Sequence, residues 1–246
     1  MRNRLDKLLF ERGLAPSRER AQALILAGRV LVNQQKVEKP GASVDDTALL
    51  RVLGEEQRYV SRGGFKLEAA LDRWHIDLTA RLCADIGTST GGFTDCMLQH
   101  GAAGVVAVDT GYGQIAEALR RDPRVSLRER TNARYLKPGE LGPGISFVSM
   151  DVSFISATLV LPAVLAAVRG SGESRVEAVI LVKPQFEAGR EHVGKGGIVH
   201  DPAAHQLAID RVRAAVHDLG AAGTEVAESP IQGAKGNREF LLYSRF

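Results

Sequence analysis

Cysteine is scarce in this 246-residue chain. Cys83 and Cys96 are the only two, they form no C-x-x-C pair, and none of the six histidines stands at metal-like spacing from them. That points to a reducing compartment and away from a structural zinc or any other metal. Long apolar runs are missing as well. The longest, about residues 157–168, is interrupted by Pro162 and is too short to span a bilayer. The first ten residues, MRNRLDKLLF, put charges where a signal peptide needs an apolar core. Internal repeats and low-complexity segments are absent. The expectation is a cytoplasmic globular protein without a membrane segment, and an apolar share of 44% with 25% charged residues is ordinary for that class.

Charge is present but unevenly spread. The formal net charge is +3, yet residues 1–40 hold nine Lys and Arg against four Asp and Glu. The remaining chain is therefore slightly acidic. A basic N-terminal segment fits a nucleic-acid contact, and it also fits a solvated basic helix face. The same segment reads as a small unit. Leu5, Leu8 and Leu9 share a helical face, and Ser17 can cap a second helix that closes at Gly28. Val30 and Val32 alternate with polar partners like a strand. The predicted organisation is a small α+β domain over residues 1–57, a linker at 58–61 and a larger domain over 62–246.

From residue 62 the pattern alternates helix with strand. Seven short apolar runs recur: RLCADIG, GVVAVD, VSLRE, ISFVSMD, EAVILVKP, TEVAESP and EFLLYSRF. The stretches GGFTDCMLQHG, GQIAEALRR, ISATLVLPAVLAAV and DPAAHQLAIDRVRAAVHDLG read as helices, the last capped by Asp201 with Pro202 following. The predicted fold is α/β, with a mostly parallel, doubly wound sheet. The last two runs are joined without a helix, so that pair must be antiparallel. Ligands of such sheets sit at the carboxyl ends of the strands.

CADIGTSTGGFTD, residues 83–95, is a strand, a glycine-rich turn and a helix start. Its G-x-x-x-G-G spacing, with Ser89 where a dinucleotide fingerprint has its second glycine, suits a ligand without a pyrophosphate. Asp109 ends the next run, where a carboxylate can accept hydrogen bonds from a ribose diol. Together these predict S-adenosylmethionine; glycines that only make a tight turn are the plainer alternative. Four charged residues fall at the same predicted edge. Asp151 ends ISFVSMD, Lys183 ends EAVILVK, Glu239 opens the last strand, and Lys66 lies early in the helix before the first strand. Two lysines and two carboxylates beside a sulfonium could deprotonate a ribose hydroxyl or steady its alkoxide. A surface ion-pair network would account for any one of them.

The set Lys66, Asp151, Lys183, Glu239 resembles the Lys-Asp-Lys-Glu tetrad of FtsJ-like ribose 2′-O-methyltransferases. YVSRGGFKL, DIGTSTGGFTD, SMDVSFIS, LVKPQFE and GNREFLLY resemble the TlyA family, also labelled hemolysin A. RLDKLLFERGLAPSRERAQALILAGRVLVN is similar to the RNA-binding domain named after ribosomal small-subunit protein four. The resemblance implies 2′-O-methylation of a ribosomal RNA cytidine, a Rossmann-like methyltransferase domain, and a cofactor site at Asp85, Gly87, Ser89, Gly91, Gly92, Asp109 and Phe154. It also implies a role for RYVS, residues 58–61, in joining the domains, with Tyr59 where some relatives have tryptophan. Because the sequence stops at Phe246, just past the last strand, large-subunit RNA is the expected substrate. Arg4, Arg18, Arg20 and Arg29 are candidate RNA contacts, as are Arg190 and Lys195 on AGREHVGKGGIV, a loop expected to be mobile. Competing readings are a membrane-lysing protein, a pseudouridine synthase suggested by NRLD, with Asp6 expected on a helix surface, and a scaffold without catalysis.

Overall fold

The computed structural model describes residues 2–53, 58–169, 175–233 and 236–246. The chain divides into two compact units, Met1–Arg58 and Tyr59–Phe246. Residues 54–57, at the expected boundary, and residues 234–235, in the loop before the last strand, lie outside the described residues.

The first unit contains strand β1 (Arg2–Arg4), helices α1 (Leu5–Glu11) and α2 (Arg18–Leu26), and strands β2 (Val30–Val32), β3 (Gln35–Lys36), β4 (Ser43–Asp45) and β5 (Leu50–Val52). Leu5, Leu8 and Leu9 pack with Ala21, Ile25 and Val30 into its core. Ser17 Oγ accepts from the Arg20 N–H at 3.1 Å and caps α2. Asn33 and Gln34 both adopt positive φ, which closes the β2–β3 hairpin.

Asp6 is not on the helix surface but fully buried. Its carboxylate accepts from Arg4 at 3.0 Å, Arg18 at 3.2 Å, Gln22 at 2.8 Å and the Lys7 N–H at 2.9 Å. The Arg4 guanidinium, aided by Gln22 and Arg18, holds Asp6 well below the usual carboxylate range against the opposing effect of burial. The reading of Arg4 and Arg18 changes with it. Both are exposed arginines; Arg4 spends one guanidinium edge on Asp6 and Arg18 a single N–H, leaving the remaining N–H groups for another anion. Arg29 is exposed and Arg20 half-buried.

The second unit opens with Tyr59, which is buried against Phe65 at a ring-centroid distance of 5.2 Å. The Val60 N–H donates to Asp95 at 2.7 Å. From Tyr59 onward, then, the RYVS segment is packed into this unit rather than extended as a tether. Helix α3 (Gly63–Trp74) follows, then β6 (Leu82–Ile86), α4 (Gly92–Gln99), β7 (Gly104–Val108), α5 (Glu117–Arg120), β8 (Val125–Arg128), β9 (Ile145–Met150), α6 (Leu161–Arg169), β10 (Glu177–Val182), α7 (Pro184–Glu187), α8 (Pro202–Asp218), β11 (Gly223–Glu228) and β12 (Phe240–Arg245). The sheet order is β11-β12-β10-β9-β6-β7-β8. Strands β6 to β10 are parallel, and β12 runs antiparallel to both β10 and β11. The chain winds outward from β6 through β7 to β8, then returns to β9 on the other side of β6. That reversal opens a crevice at the carboxyl ends of β6 and β9.

Apolar residues on both faces of the sheet are buried, in two separate core clusters. Asp201 Oδ1 caps α8 by accepting from the Ala203 N–H at 2.9 Å. Two expected helices are shorter than their patterns. GQIAEALRR is helical only over α5, because Ala116 is extended and its N–H donates to the Thr90 carbonyl at 3.1 Å. ISATLVLPAVLAAV divides into a 3₁₀ turn at Ala157–Leu159 and α6, with Pro162 in the first turn of α6 where its missing N–H costs nothing. Among the described residues no helix is long and apolar enough to cross a membrane.

Candidate active site

Three strand ends and one helix build the site. Asp151 follows β9, Lys183 follows β10, Glu239 precedes the antiparallel β12, and Lys66 lies in the first turn of α3. Lys183 has an extended backbone, φ −113° and ψ 103°, and Pro184 opens α7 directly after it. The proline removes an N–H and turns the chain out of the sheet, so the lysine emerges at the rim.

The four groups form two ion pairs. Lys66 Nζ donates to Glu239 Oε2 at 2.5 Å. Lys183 Nζ lies 2.5 Å from Asp151 Oδ1 and donates to Ser153 Oγ at 2.7 Å. Lys66, Lys183 and Glu239 are buried and Asp151 is partly so. This burial separates the set from a solvated surface network, whose lysines would keep their ammonium groups in water. Gly233 makes room for the second carboxylate, since a Cβ there would collide with Glu239 Oε1.

Lys66, Asp151 and Lys183 line one cleft of about 300 Å³ together with Ser61, Arg62, Gly92, Ser153 and Gly233. A second cleft, of about 380 Å³, is lined by Gly87, Ser89, Asp109, Gln114, Asn132, Asp151, Ser153 and Phe154 among others. The clefts share Gly87, Ser89, Asp151 and Ser153. Their electrostatics differ. The first is lined by Arg62, Lys66 and Lys183, with Asp151 the one carboxylate among its lining residues. The second carries the carboxylates of Asp109 and Asp151 and no Lys or Arg among its lining residues.

That composition tests the expected cofactor. A pyrophosphate ligand would meet the Asp109 carboxylate and that of Asp151, the latter paired with Lys183, with no Lys or Arg in the lining itself, whereas a sulfonium ligand with an ammonium group is favoured there. Each Asp109 oxygen takes one backbone N–H, Oδ2 from Ser89 at 2.7 Å and Oδ1 from Gly111 at 2.6 Å. Each oxygen keeps a lone pair for a ribose hydroxyl. Phe154 adopts φ 65° and is 92% exposed, which sets a ring at the rim of the second cleft. The residues present fit S-adenosylmethionine.

Three expected cofactor residues have other positions, and one of them, Gly92, lines the first cleft and not the second. Gly91 caps α4 at φ 94°, with Leu119 and Ile115 where a side chain would go, and it lines neither cleft. Asp85 lies within the sheet, fully buried, and accepts from Thr94 Oγ1 at 2.6 Å and Ser149 Oγ at 3.2 Å. It ties β6 to α4 and β9 instead of facing a ligand. Burial pushes its carboxyl up to about 6, only partly offset by the two hydroxyls. Because this folded-state value lies above the ordinary one near 3.9, the associated stability is full below about pH 4 and lost as pH rises through about 6. Asp85→Asn is therefore expected to gain melting temperature relative to the parent as pH goes from about 5 to 8. A difference that stays constant across that range would sink the assignment.

The glycine-rich loop after Lys183 is fastened rather than loose. Asn237 accepts from the Val199 N–H at 3.0 Å and donates to the Gly197 carbonyl at 2.9 Å, joining this loop to the segment that carries Glu239. Arg190 and Lys195 are exposed on it. Sequence reasoning missed Ser153, Gln114, Asn132 and Gly233. Ser153 stands two residues past Asp151 at the same strand end, a signal that was available; the others carry no charge and sit in loops. Among the described residues no group of His, Cys, Asp and Glu could hold a metal ion.

Comparison with known proteins agrees with this geometry. Residues 59–246 match the FtsJ-like methyltransferase family and residues 3–48 the S4 domain. The chain is 45% identical to the 16S/23S rRNA (cytidine-2′-O)-methyltransferase TlyA of Mycobacterium tuberculosis, over 99% of this chain and 90% of that protein. It is 40% identical to Hemolysin A of Brachyspira hyodysenteriae, over 98% of each. A solved structure from Streptococcus thermophilus, named as a hemolysin, superposes with a TM-score of 0.75 at 44% identity, covering 99% of this chain and 88% of that one. Two ion-paired lysines at the rim of a mostly parallel sheet, an acidic cleft beside them and whole-chain similarity at this level agree: the chain belongs to the TlyA family of FtsJ-like methyltransferases with an N-terminal S4 domain.

Proposed function

We propose that this protein methylates the 2′-oxygen of a cytidine ribose in ribosomal RNA, working in the cytoplasm where ribosomes are made. The observation that carries the reading is the wall shared by the two clefts, acidic on one side and cationic on the other. When bound, S-adenosylmethionine supplies an electrophilic methyl group and a neutral thioether leaving group. The acidic cleft holds it through Asp109 and the backbone around Gly87 and Ser89, with Phe154 at the rim. The cationic cleft takes the ribose, its phosphates drawn to Arg62 and the lysines. A ribose hydroxyl is a poor nucleophile at neutral pH, so a base must take its proton as it attacks. Lys183 fills that role, and Lys66, held by Glu239, steadies the developing alkoxide. Asp151 fixes Lys183 at the shared wall. The S4 unit grips folded RNA through phosphate contacts from Arg4, Arg18, Arg20 and Arg29, and Arg190 and Lys195 of the larger unit make phosphate contacts of their own; such contacts position more than they specify.

The test is methyl transfer from labelled cofactor to isolated small and large ribosomal subunits, followed by alkaline hydrolysis of the RNA. A 2′-O-methyl group blocks cleavage of its own phosphodiester, so label is expected in an alkali-resistant dinucleotide with cytidine on its 5′ side. Label released in single nucleotides would overturn the ribose assignment.

A further inference from the structure

Lys183 has two recorded partners that differ in chemistry. Asp151 Oδ1, at 2.5 Å, can only accept, so it can face the ammonium but has no proton to give a neutral amine. Ser153 Oγ, at 2.7 Å, accepts from the ammonium but can also rotate its O–H to donate to a neutral amine. Ser153 is thus a partner that Lys183 can keep on both sides of a proton transfer. Lys66, by contrast, is recorded against the Glu239 carboxylate.

Ser153 also occupies a special place, because it lines both clefts. The loop that carries it is latched to the segment that carries Lys183. Ser156 Oγ and the Ala157 N–H, at 2.7 Å, both donate to the buried carboxylate of Glu187, four residues beyond Lys183. Phe154 and Phe186 meet at 5.6 Å on the same two segments.

We propose, resting on the methyl-transfer reading above, that Ser153 is a positioning residue that aims Lys183 Nζ along the shared wall and keeps the neutral amine hydrogen-bonded until it acts. In the step itself an N–H bond forms at Lys183 as the O–H bond of the 2′-hydroxyl breaks. Ser153 turns from donor to acceptor, and the new ammonium later gives its proton to solvent. The other charged groups at the first cleft are Asp151 after β9 and Arg62 and Lys66 at the head of α3, with Glu239 behind them paired to Lys66. Without the Ser153 hydroxyl the neutral amine loses its donor, since Asp151 Oδ1 can only accept, so the variant is expected to need more alkaline conditions to reach the same activity.

The test compares the full-length parent, Ser153→Ala and Ser153→Thr. Ser153 is exposed, so the extra methyl of threonine has room. Measured quantities are kcat and KM on ribosomal subunits across pH, cofactor Kd by calorimetry, and the titration of the Lys183 ε-carbon by NMR in the ligand-free protein. Ser153→Ala is expected to lower kcat about 10- to 100-fold with Kd and KM little changed. Both the kcat–pH profile and the NMR titration are expected to move to higher pH, and Ser153→Thr to restore all three. Parent-like kcat and titration in Ser153→Ala would overturn the proposal. So would equal damage in Ala and Thr accompanied by lost cofactor affinity, which would mark a loop that merely needs serine to fold. If the parent itself transfers no methyl to ribose, the functional reading fails, and the NMR titration of the ligand-free protein still decides the Ser153–Lys183 contact.

Discussion

Lys183→Ala is expected to lower kcat by about 10²–10⁴-fold, the range of a positioned general base, while cofactor affinity changes little. The asymmetry follows from where the side chain lies. Lys183 lines the cationic cleft and not the acidic one that fits the cofactor. Alanine removes the amine from the cationic cleft, while Asp151, which lines both clefts, loses its cation but keeps its place at the end of β9. Lys183→Arg separates the two chemical roles. Arginine keeps the positive charge but cannot deprotonate in a protein. If Lys183 is the base, the arginine variant is expected to be as inactive as the alanine variant. Substantial activity in Lys183→Arg would instead make this residue a fixed cation that steadies the alkoxide, with Lys66 the remaining candidate for the base. Collapse of cofactor binding in Lys183→Ala would show that the lysine serves the acidic cleft. Single-turnover assays with calorimetry on the same preparations distinguish these outcomes.

Lys183 was legible in the sequence because a charge at the end of an apolar run has few places to go. Five apolar residues before Lys183 demand burial, and the following proline ends the strand, so the ammonium falls at the rim. The same logic located Asp151 and Glu239 once the runs were read as strands and the last one as antiparallel. Pairing partners were less legible. Lys66 and Glu239 are 173 residues apart, and nothing in the spacing says they meet. Asp85 misled for a related reason. It lies near the end of a strand beside the glycine turn, as a ligand-facing residue would, but its side chain is buried against Thr94 of α4 and Ser149 of β9. Alternation along a strand buried on both faces gives no sign of which direction meets the ligand. Asp6 was missed because its four donors come from separate places: the preceding strand, the next helix and its own first turn.

Gly87→Ala is expected to do what Lys183→Ala does not, weakening the cofactor and destabilising the unit together. Gly87 has φ +86°, a conformation that costs an L-residue about 1–3 kcal/mol. Strain is the smaller part. A Cβ at this position would run into the carbonyl oxygen of Asp151, which is backbone and cannot rotate away. Relief requires β6 and β9 to separate where the Asp151 N–H donates to the Ile86 carbonyl at 2.8 Å. Because Gly87 and Asp151 line both clefts, that separation displaces the cofactor wall and the partner of Lys183 in one movement. Cofactor affinity is expected to fall at least about tenfold, with a clear drop in melting temperature. Gly113→Ala is the matched control. Its φ of +71° imposes similar strain, but nothing lies within 4 Å of the added carbon, and it lines neither cleft. It is expected to lose some stability and keep its affinity. If both glycine variants lose affinity alike, backbone strain alone explains the result and the close approach of Gly87 to Asp151 is not what shapes the cofactor wall.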